Sequence, residues 1–539
     1  MMARLSCFLL WVLLAACSDG RDAPDSQQGS TPLNGNTAEV ASDSDGRPLT
    51  IPALREWRSE AGQFHLREGA RIVIASEALR GVAEVLAEDI QTMFGGQIPI
   101  VTGTQTSLGD ILLSLGEADP RLGDEGYRLT VAEVVSISSS APNGVFYGTR
   151  SLLQMLNQSL VIKAGEALDW PRYPERGMMI DVGRKFFTAD WIKRHIKEMA
   201  WLKLNLYHFH FSENEGFRVE SESHPEIVSE EHLTKDEVRE IVALAARYFI
   251  TVVPEIGMPG HMGAALAPHP EYQIKDILGQ PSANNLDVTN PEALQFAREL
   301  IEEYLPLFPG PWWHTGGDEY LPSYQYALYP QLEAYAKEQY GANAVAKDAV
   351  HGHINWAADL VAAHGKQTRA WNDDLNGGRA VTLNPNILVE WWTDFQPLGD
   401  ILLIPTPQQL LDSGHRILNA SNWPTYLTPG GPSMFQLPPD MPTAYESWDV
   451  HQFSGAAYTG PVHLPYKTVA ADEPRNRGTK FHFWANDEFG TLGSEDEIAI
   501  DIAPRLRVIA QKAWQSPPIS GGYAGFQAVT QATGHAPGY

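Results

Sequence analysis

The stretch PWWHTGGDEY, residues 311–320, places two acidic side chains, Asp318 and Glu319, directly after two glycines. Two carboxylic acids in one pocket can divide acid–base work between them. Adjacent side chains of a regular strand point to opposite faces, so both acids reach one pocket only if the strand breaks here. Gly316 and Gly317 permit such a break. We therefore predict that Asp318 and Glu319 share an active site.

The adjacency of these acids also restricts the chemistry. Ordinary two-carboxylate glycoside hydrolysis needs acids on opposite faces of one sugar, and neighbouring residues are poorly placed for that. One solution is a substrate that supplies its own nucleophile, such as a 2-acetamido carbonyl oxygen. Asp318 would orient the amide N–H and stabilise the cationic ring intermediate, an oxazolinium ion, while Glu319 protonates the leaving oxygen. Well-oriented intramolecular attack can contribute about 7–11 kcal/mol of the barrier.

Eight strand-like runs follow one another from Arg176 onward, and amphipathic helices separate several of them. The runs are RGMMIDVG, LNLYHFHFSE, ITVVPEIG, WWHTGGDE, QTRAWNDD, ILVEWWTD, HRILNASN and TKFHFWAN. Strands alternating with helices over residues 174–515 predict an α/β fold, a (β/α)8 TIM barrel, whose active face lies at the carboxyl ends of the strands.

Polar and aromatic residues collect at the predicted strand ends. They are Asp181, His208, His210, Glu213, Glu255, His261, Asp318, Glu319, Trp371, Asp373, Trp391, Trp392, Asn419 and Trp484. Sugar rings stack on aromatic faces, so we interpret Trp371, Trp391 and Trp484 as pocket walls rather than core side chains.

The remainder of the chain divides by composition. Residues 50–173 contain short strand-like runs and two helical patterns, which predict a small α+β domain before the barrel. Residues 18–49 are rich in Ser, Asp, Gly and Pro and predict a flexible acidic tether. Residues 516–539 are expected to form a C-terminal tail.

Residues 1–17, MMARLSCFLLWVLLAAC, predict a secretory signal, because an apolar run too short to span a bilayer is followed by small residues. The Leu-Ala-Ala-Cys ending resembles the bacterial lipoprotein box, which implies lipidation of Cys17. Ser18 would favour outer-membrane sorting in a Gram-negative host. Cys7 and Cys17 are the two cysteines of the sequence, so we expect no disulfide and no thiolate metal site in the mature chain.

The charge balance restricts the partners. The 39 Lys and Arg residues against 66 Asp and Glu residues give a net charge of −27, which argues against nucleic acid and anionic lipid. We therefore expect membrane contact only through the N-terminal lipid anchor.

Over about residues 50–515 the chain resembles the family 20 glycoside hydrolases, the β-N-acetylhexosaminidases, and HTGGDE, residues 314–319, is the most specific motif. The resemblance implies a retaining, exo-acting enzyme that removes terminal β-linked N-acetylhexosamine from oligosaccharides or polysaccharides without a cofactor. Asp318 would be the polarising carboxylate, and Glu319 the general acid and then the general base.

The resemblance implies further site residues. Arg176 would hold the 3- and 4-hydroxyls of the terminal sugar, and Tyr426 would hydrogen-bond to the acetamido oxygen. Tryptophans would wall the acetamido pocket, and three residues would support the acids from behind. The tryptophans are Trp371, Trp391 or Trp392, and Trp484; the supporting residues are Glu213, His261 and His314.

The sequence also departs from the family pattern. Glu213 and Asn214 stand where the strand-two motif usually has two aspartates, and Gly257 stands where another is usual. Asn486 occupies the position of a glutamate that binds the outer hydroxyls. YESWDVHQF and LNASNWPTYL look closer to members that act on poly-N-acetylglucosamine or as lacto-N-biosidases. A non-catalytic carbohydrate-binding barrel is a remote alternative, and the presence of both acids argues against it.

Two expectations concern ionisation and metals. His208 and His210 lie on one strand face, as zinc ligands do in some barrels. No further histidine arrives at the ends of strands five or six, so we expect these imidazoles to hydrogen-bond to carboxylates, with no catalytic metal. We also expect burial and the charge of Asp318 to raise the pKa of Glu319 towards the working pH.

Overall fold

The computed structural model describes residues 33–37, 42–394, 404–429, 440–454, 466–487 and 490–539. The predicted signal segment, with Cys17, and most of the predicted tether lie outside these residues. Among the described helices, none combines the length and the apolar character that crossing a lipid bilayer requires.

The N-terminal domain is a seven-stranded mixed sheet that carries two long helices. Its elements are β1 (Glu56–His65), β2 (Ile72–Ile74), α1 (Arg80–Phe94), β3 (Ile100–Thr102), β4 (Ile111–Leu115), β5 (Tyr127–Val131), β6 (Val135–Ser139), α2 (Pro142–Gln158) and β7 (Val161–Asp169). The strand order is β1-β7-β5-β6-β4-β2-β3. Helix α2 packs closely on the sheet: a Cβ added to Gly148 would lie 2.4 Å from Ile137 Cγ2. The predicted small domain of helices on a sheet is confirmed.

Eight parallel strands form a closed barrel, and each corresponds to one of the eight predicted runs. They are β8 (Glu175–Asp181), β9 (Leu206–Ser212), β10 (Thr251–Met258), β13 (Trp312–Gly316), β14 (Gln367–Trp371), β15 (Leu388–Trp391), β16 (Arg416–Asn419) and β20 (Asn476–Phe483). The last strand pairs in parallel with both β16 and β8, which closes the ring. The predicted (β/α)8 barrel is confirmed.

Helices and short strands connect the barrel strands, and two further helices follow the last strand. They are α3 (Ala189–Trp201), α4 (Lys235–Arg247), α5 (Gly263–Leu266), β11 (Gln273–Lys275), β12 (Pro281–Leu286), α6 (Pro291–Tyr304), α7 (Pro330–Tyr340), α8 (Ala346–Ala363), α9 (Pro407–Asp412), α10 (Asn422–Thr425), β17 (Tyr426–Leu427), α11 (Met441–Ser447), β18 (Gln452–Phe453), β19 (Lys467–Thr468), α12 (Glu495–Trp514) and α13 (Gly522–Thr533). Helix α4 begins with a capping box, in which the Thr234 side chain accepts the Glu237 N–H and the Glu237 side chain accepts the Thr234 N–H.

A buried ion pair joins the N-terminal domain to the barrel. Lys203, which follows α3, lies with its Nζ 2.7 Å from Asp169 Oδ2 at the end of β7. The Tyr127 hydroxyl donates to the same oxygen, and Trp514 Nε1 donates to Asp169 Oδ1. Because all these side chains are buried, each charge depends on its partner across the interface.

The C-terminal segment is docked rather than loose. Where the sequence suggested a tail over residues 516–539, the structure has helix α13 followed by a turn against the barrel helices. Arg507 donates to the Gly534 carbonyl at 2.8 Å, and Glu198 Oε2 accepts the Ala536 N–H at 2.9 Å. Arg507 also donates to Glu198 at 2.6 Å.

Candidate active site

The strand that carries the two acids breaks at its two glycines. Gly316 and Gly317 have φ values of 73° and 80°, in the left-handed region that favours glycine. Gly316 is also restricted by space, since an added Cβ would lie 2.8 Å from both Gly257 Cα and Met258 N of β10. The break predicted from the sequence is therefore present, and it turns the chain just before the acids.

Asp318 and Glu319 meet at one imidazole. His261 Nε2 lies 3.5 Å from Asp318 Oδ2 and 3.2 Å from Glu319 Oε2. The Asp318 side chain is 16% exposed, whereas the Glu319 side chain is 51% exposed. The two carboxyl groups thus enter one cavity, with Asp318 deeper and Glu319 at the opening.

Glu213 holds the opposite side of this imidazole. Its Oε1 lies 2.7 Å from His261 Nδ1 and accepts from Arg184 Nη2 at 2.6 Å, and Arg184 donates in turn to Asp181. Burial alone would lower the pKa of His261, but the charges of Glu213 and Asp318 raise it well above its usual value. The protonated imidazole is therefore favoured, with Glu213 as its main counterion.

The pKa values of the two acids differ from the sequence expectation. Burial, together with the charges of Asp373 and Glu319, outweighs His261 and raises the pKa of Asp318 well above its usual value. For Glu319, burial raises the pKa, but the hydrogen bond and charge of His261 outweigh it and lower the pKa below the usual value. The expectation of a raised Glu319 pKa is wrong in this structure, because the imidazolium lies closer to Glu319 than to Asp318.

Two aspartates after β14 accept hydrogen bonds from the backbone of the acidic segment, residues 318–320. Asp373 Oδ2 accepts the Glu319 N–H at 3.0 Å, and Asp374 Oδ2 accepts the Tyr320 N–H at 2.8 Å. Asp373 Oδ1 also accepts from Trp392 Nε1 at 2.8 Å. The sequence marked Asp373 as a strand-end residue, but nothing in the sequence reveals that two consecutive carboxylates after the next strand accept two consecutive amides here.

Four aromatic side chains line the cavity beside the acids. Trp392 and Tyr426 stack with 6.2 Å between centroids and 10° between planes, and Trp484 lies 5.7 Å from Tyr426. Trp371 lies 5.9 Å from Trp484 and is buried, so it forms the floor. Arg184 lies over the Trp484 ring at 5.2 Å. The structure thus brings three predicted tryptophans and the predicted tyrosine together.

Trp391 does not belong to this wall. It is the neighbour of Trp392 on the same strand, and its side chain points outward, where Nε1 donates to the Pro405 carbonyl and the ring packs on Phe453. Successive side chains of a strand face opposite sides, so only one of the pair can line the cavity. The sequence expectation for Trp391 is wrong, and Trp392 is the lining residue.

Arg176 lies at the opposite end of the barrel. It stands five residues before Asp181 on β8, about 16 Å away along the strand. Its guanidinium donates to Glu125 of the N-terminal domain at 2.8 Å and to the Lys203 carbonyl at 3.0 Å. The expectation that Arg176 binds sugar hydroxyls is wrong. The arginine at the site is Arg184, which the same run, RGMMIDVGR, contains at its other end.

Beneath the cavity, one carboxylate organises the barrel interior. Glu255 lies 2.8 Å from His208 Nε2, 2.5 Å from His210 Nδ1 and 3.1 Å from His314 Nδ1, and it accepts from Trp371 Nε1 at 2.8 Å. His314 therefore contacts Glu255 beneath the cavity, and its support of the acids stays a prediction.

The donor atoms of His208, Glu255 and His314 lie within 4.8 Å of one another, so they could in principle hold a metal ion. However, Lys480 Nζ lies 2.6 Å from His208 Nδ1. A buried ammonium adjacent to the cluster opposes a second cation, and the Glu255 oxygens already have N–H partners. The arrangement therefore favours a hydrogen-bonding network over metal binding.

Two departures from the family pattern lie at the cavity edge. Asn486 is half-buried in the loop after β20, two residues beyond Trp484. At Gly257, which is buried, an added Cβ would be in ordinary van der Waals contact, 3.4 Å from His261 Cβ, so the space beside the imidazole accepts a Cβ without rearrangement. Both differences place less negative charge near the site than an acidic residue would.

Comparison with known proteins agrees with this geometry. The model for the catalytic domain of glycosyl hydrolase family 20 matches residues 173–517, and the model for domain 2 of that family matches residues 47–170. A lacto-N-biosidase of Bifidobacterium bifidum is 32% identical, covering 87% of this chain and 40% of its own length. A beta-hexosaminidase of Porphyromonas gingivalis is 29% identical, covering 64% and 47%.

The chain therefore spans less than half the length of these two curated relatives. Among solved structures, the GH20 β-N-acetylhexosaminidase of Streptomyces coelicolor A3(2) superposes with a TM-score of 0.70 at 25% identity, covering 92% of this chain and 98% of that one. With both domains matched in order and the paired acids at the barrel mouth, this chain belongs to glycosyl hydrolase family 20.

Proposed function

We propose that this chain is a β-N-acetylhexosaminidase, which removes terminal β-linked N-acetylhexosamine from glycans with retention of configuration. One observation carries the proposal: both carboxyl groups approach the same nitrogen, His261 Nε2, at 3.5 and 3.2 Å. Neighbouring acids grouped around one atom are poorly placed to act on opposite faces of a sugar, which supports a nucleophile that comes from the substrate.

In the proposed reaction, the 2-acetamido carbonyl oxygen attacks the anomeric carbon as the glycosidic C–O bond breaks. Asp318 accepts the acetamide N–H and stabilises the positive charge of the oxazolinium ion, and Glu319 gives its proton to the leaving oxygen. Glu319 then removes a proton from water, which attacks the anomeric carbon and reopens the ring. Two inversions at that carbon give net retention.

The proton needed on Glu319 has a source in the site. Asp318 has the raised pKa of the pair, whereas the reaction needs Asp318 ionised. An acetamide N–H that donates to Asp318 favours its ionised form, and the new negative charge in turn favours protonation of Glu319. Substrate binding would therefore shift one proton within the pair, across the His261 nitrogen that touches both acids.

The test compares two aryl glycosides that differ only at carbon 2. We expect turnover of the aryl N-acetyl-β-glucosaminide and at least about 10³-fold lower kcat/KM for the aryl β-glucoside, since the second lacks the nucleophile. Proton NMR should show the β-anomer as the first product. Comparable turnover of both substrates would refute the substrate nucleophile, and no turnover of either would instead favour a carbohydrate-binding barrel.

A second candidate is a lacto-N-biosidase, whose name denotes release of a disaccharide unit. The observations that favour it are the 32% identity to such an enzyme and the neutral Asn486, two residues beyond Trp484. An aryl lacto-N-bioside and a poly-N-acetylglucosamine oligomer should be assayed beside the aryl N-acetylglucosaminide. A kcat/KM at least 10-fold higher for the disaccharide glycoside would select this candidate over the exo-hexosaminidase.

We also propose that a lipid on Cys17 holds the mature protein at a membrane, with the barrel outside the cytoplasm. The signal-like segment and the lipoprotein-box ending support this. In detergent phase partition, the full-length chain should enter the detergent phase, and Cys17→Ser should move it to the aqueous phase. Recovery of both proteins in the aqueous phase would contradict the anchor.

A further inference from the structure

A second group of ionisable side chains lies on the loops that follow β9 and β10, apart from the two acids. His224 immediately precedes a short 3-10 helix, Pro225–Ile227, and His269 follows α5. Glu226 lies between the two imidazoles: its Oε1 is 3.1 Å from His224 Nδ1 and 2.9 Å from His269 Nε2. Two ring nitrogens from different loops therefore converge on one carboxylate oxygen.

The other nitrogen of each ring also faces a carboxylate. His224 Nε2 lies 3.0 Å from Glu299 Oε2, and His269 Nδ1 lies 3.3 Å from Glu271 Oε1. A carboxylate on the outer nitrogen is the arrangement found behind metal-binding histidines, because it holds the ring proton and leaves the inner lone pair free.

Two neutral imidazoles do not carry enough N–H groups to donate to every carboxylate oxygen that faces them. Four ring nitrogens face carboxylate oxygens, and two neutral rings bring only two N–H groups. If Glu299 and Glu271 accept these, the lone pairs of His224 Nδ1 and His269 Nε2 both point at Glu226 Oε1. With this arrangement of protons, a cation between the two inner nitrogens and Glu226 would replace three repulsive contacts with three attractive ones.

Packing holds the two rings in place. The His224 ring lies edge-on to Phe296 with 4.7 Å between centroids, and the His269 ring lies 5.2 Å from both Phe296 and Tyr272. The imidazole side chains are 15% and 18% exposed, so solvent ions can reach them. The donors are thus accessible yet restricted in orientation.

We propose that His224, Glu226 and His269 bind a zinc ion, or another divalent transition metal that prefers imidazole ligands. Their donor atoms lie within 4.8 Å of one another. Zinc bonds of about 2.0–2.1 Å in a tetrahedron place donors about 3.4 Å apart, so side-chain rotations suffice to close the site. Water would fill the fourth position. Two imidazoles suit zinc and disfavour magnesium or calcium, which prefer oxygen ligands.

The metal would join two loops. One of them begins with Glu213 directly after β9, and the other contains His261 after β10. A shared ion therefore links the segments that hold both sides of the Glu213–His261 contact. None of its ligands touches Asp318 or Glu319, so the metal has a structural role and the site is independent of the proposed reaction.

Zinc titration by isothermal calorimetry of metal-stripped, tag-free protein tests the proposal. We expect one zinc ion per chain, with affinity reduced at least 10-fold in His269→Gln and in Glu226→Gln. His232→Gln is the matched control, because His232 lies in the same β9–α4 connection and contacts only the Ser229 and Glu230 carbonyls among the contacts that the structure describes. Saturating zinc should raise the Tm of wild type and His232→Gln by about 2 °C or more, but not that of the two ligand variants.

Absence of zinc binding at micromolar concentration would overturn the proposal and leave the cluster as hydrogen bonds between imidazoles and carboxylates. Equal zinc binding by wild type, His269→Gln and Glu226→Gln would also overturn it, since the ion would then be held elsewhere. Circular dichroism of each variant shows that lost binding does not reflect unfolding.

Discussion

At the scale of single residues, the two adjacent acids differ through their surroundings rather than their type. Asp318 is enclosed, and Glu319 lies at the opening against the same imidazole. Glu319 and His261 have φ values of 45° and 56°, a conformation that costs non-glycine residues about 1–2 kcal/mol each. The surrounding hydrogen bonds, including the one from the Glu319 N–H to Asp373, impose this conformation.

Removal of the proton donor should affect substrates unequally. We expect Glu319→Gln to lower kcat/KM by about 10²–10⁴-fold for oligosaccharides, whose leaving group needs a proton, and by less than about 10-fold for an activated aryl glycoside. Steady-state kinetics on both substrates give the comparison. Glu338→Gln, an exposed acid on α7, is the control that should change neither. Equal losses on both substrates would contradict the role of Glu319 as the acid.

The charge of Glu213 should set the upper pH limit of activity. Because Glu213 raises the pKa of His261, Glu213→Gln should lower that pKa, so that the imidazole loses its proton at a lower pH. We expect the alkaline limb of the kcat/KM profile to move to lower pH. Glu215→Gln is the control, because it removes one carboxylate charge 3.8 Å from Arg184 rather than beside His261. We expect the alkaline limb of this variant to stay at the wild-type pH. Identical limbs in both variants would contradict the coupling.

At this scale the sequence predicted the strand break that brings the two acids together, because a pair of glycines is a local signal. It failed for Arg176, which lies at the wrong end of its strand, and for Trp391, which lies on the wrong face of its strand. Arg176 and Arg184 stand at opposite ends of one strand, and Trp391 and Trp392 stand on opposite faces of another. Chain direction alone shows which end of a strand is its carboxyl end, so the position of Arg176 could have been read from the sequence. Which of two neighbouring side chains faces inward depends on the register of the barrel strands.

At the scale of elements, the site depends on contacts between neighbouring strands. The acids follow strand β13. Strand β10 lies so close to Gly316 that a Cβ on this residue would overlap it. The segment after β14 accepts hydrogen bonds from two backbone amides of the acidic segment. Three adjacent strands thus determine where one dipeptide lies.

Substitution of Gly316 should therefore be costly in two ways. We expect Gly316→Ala to destabilise the fold by about 2–4 kcal/mol, from its positive φ and from overlap with Gly257 and Met258. Gly365→Ala, with φ of 74° and nothing within 4 Å of an added Cβ, isolates the first cause and should lose only about 1–2 kcal/mol. Denaturant unfolding measures both. Equal losses would show that the close strand contact has no energetic effect.

The eight strands were predictable because parallel barrel strands are continuous apolar runs between helices. Helix α13 was not. Its sequence, GYAGFQAVTQAT, includes two glycines and weak helix formers. It is held by packing and by the contacts of the following residues with Glu198 and Arg507, more than 300 and about 30 residues away in sequence. Such long-range docking leaves no local signal.

At the scale of the whole molecule, buried ion pairs connect distant parts of the chain. Burial would raise the pKa of Glu198, but the charge of Arg507 and hydrogen bonds from His535 and the Ala536 amide lower it to about 2. An unfolded glutamate has a pKa of about 4.3. The ionised form is therefore favoured by folding, by about 3 kcal/mol.

The sign of this linkage gives a pH dependence. The contribution of Glu198 is fully present above about pH 4.3 and is lost as the pH falls towards 2. We expect Glu198→Gln to lower the Tm markedly at pH 7, with the difference from wild type shrinking between pH 5 and pH 3. Thermal unfolding at several pH values, with Glu338→Gln as the exposed control, measures this. A Tm difference that does not vary with pH would contradict the assignment.

The contact between Lys203 and Asp169 has a practical consequence for anyone who shortens this protein. A fragment that starts at residue 173 would retain every side chain of the reaction centre, yet it would leave Lys203 without its counterion and uncover the side of Trp514 that faces Asp169. The smallest piece worth producing for enzymology therefore begins ahead of β1, although the two acids, Arg184 and the aromatic side chains beside them all belong to the barrel domain.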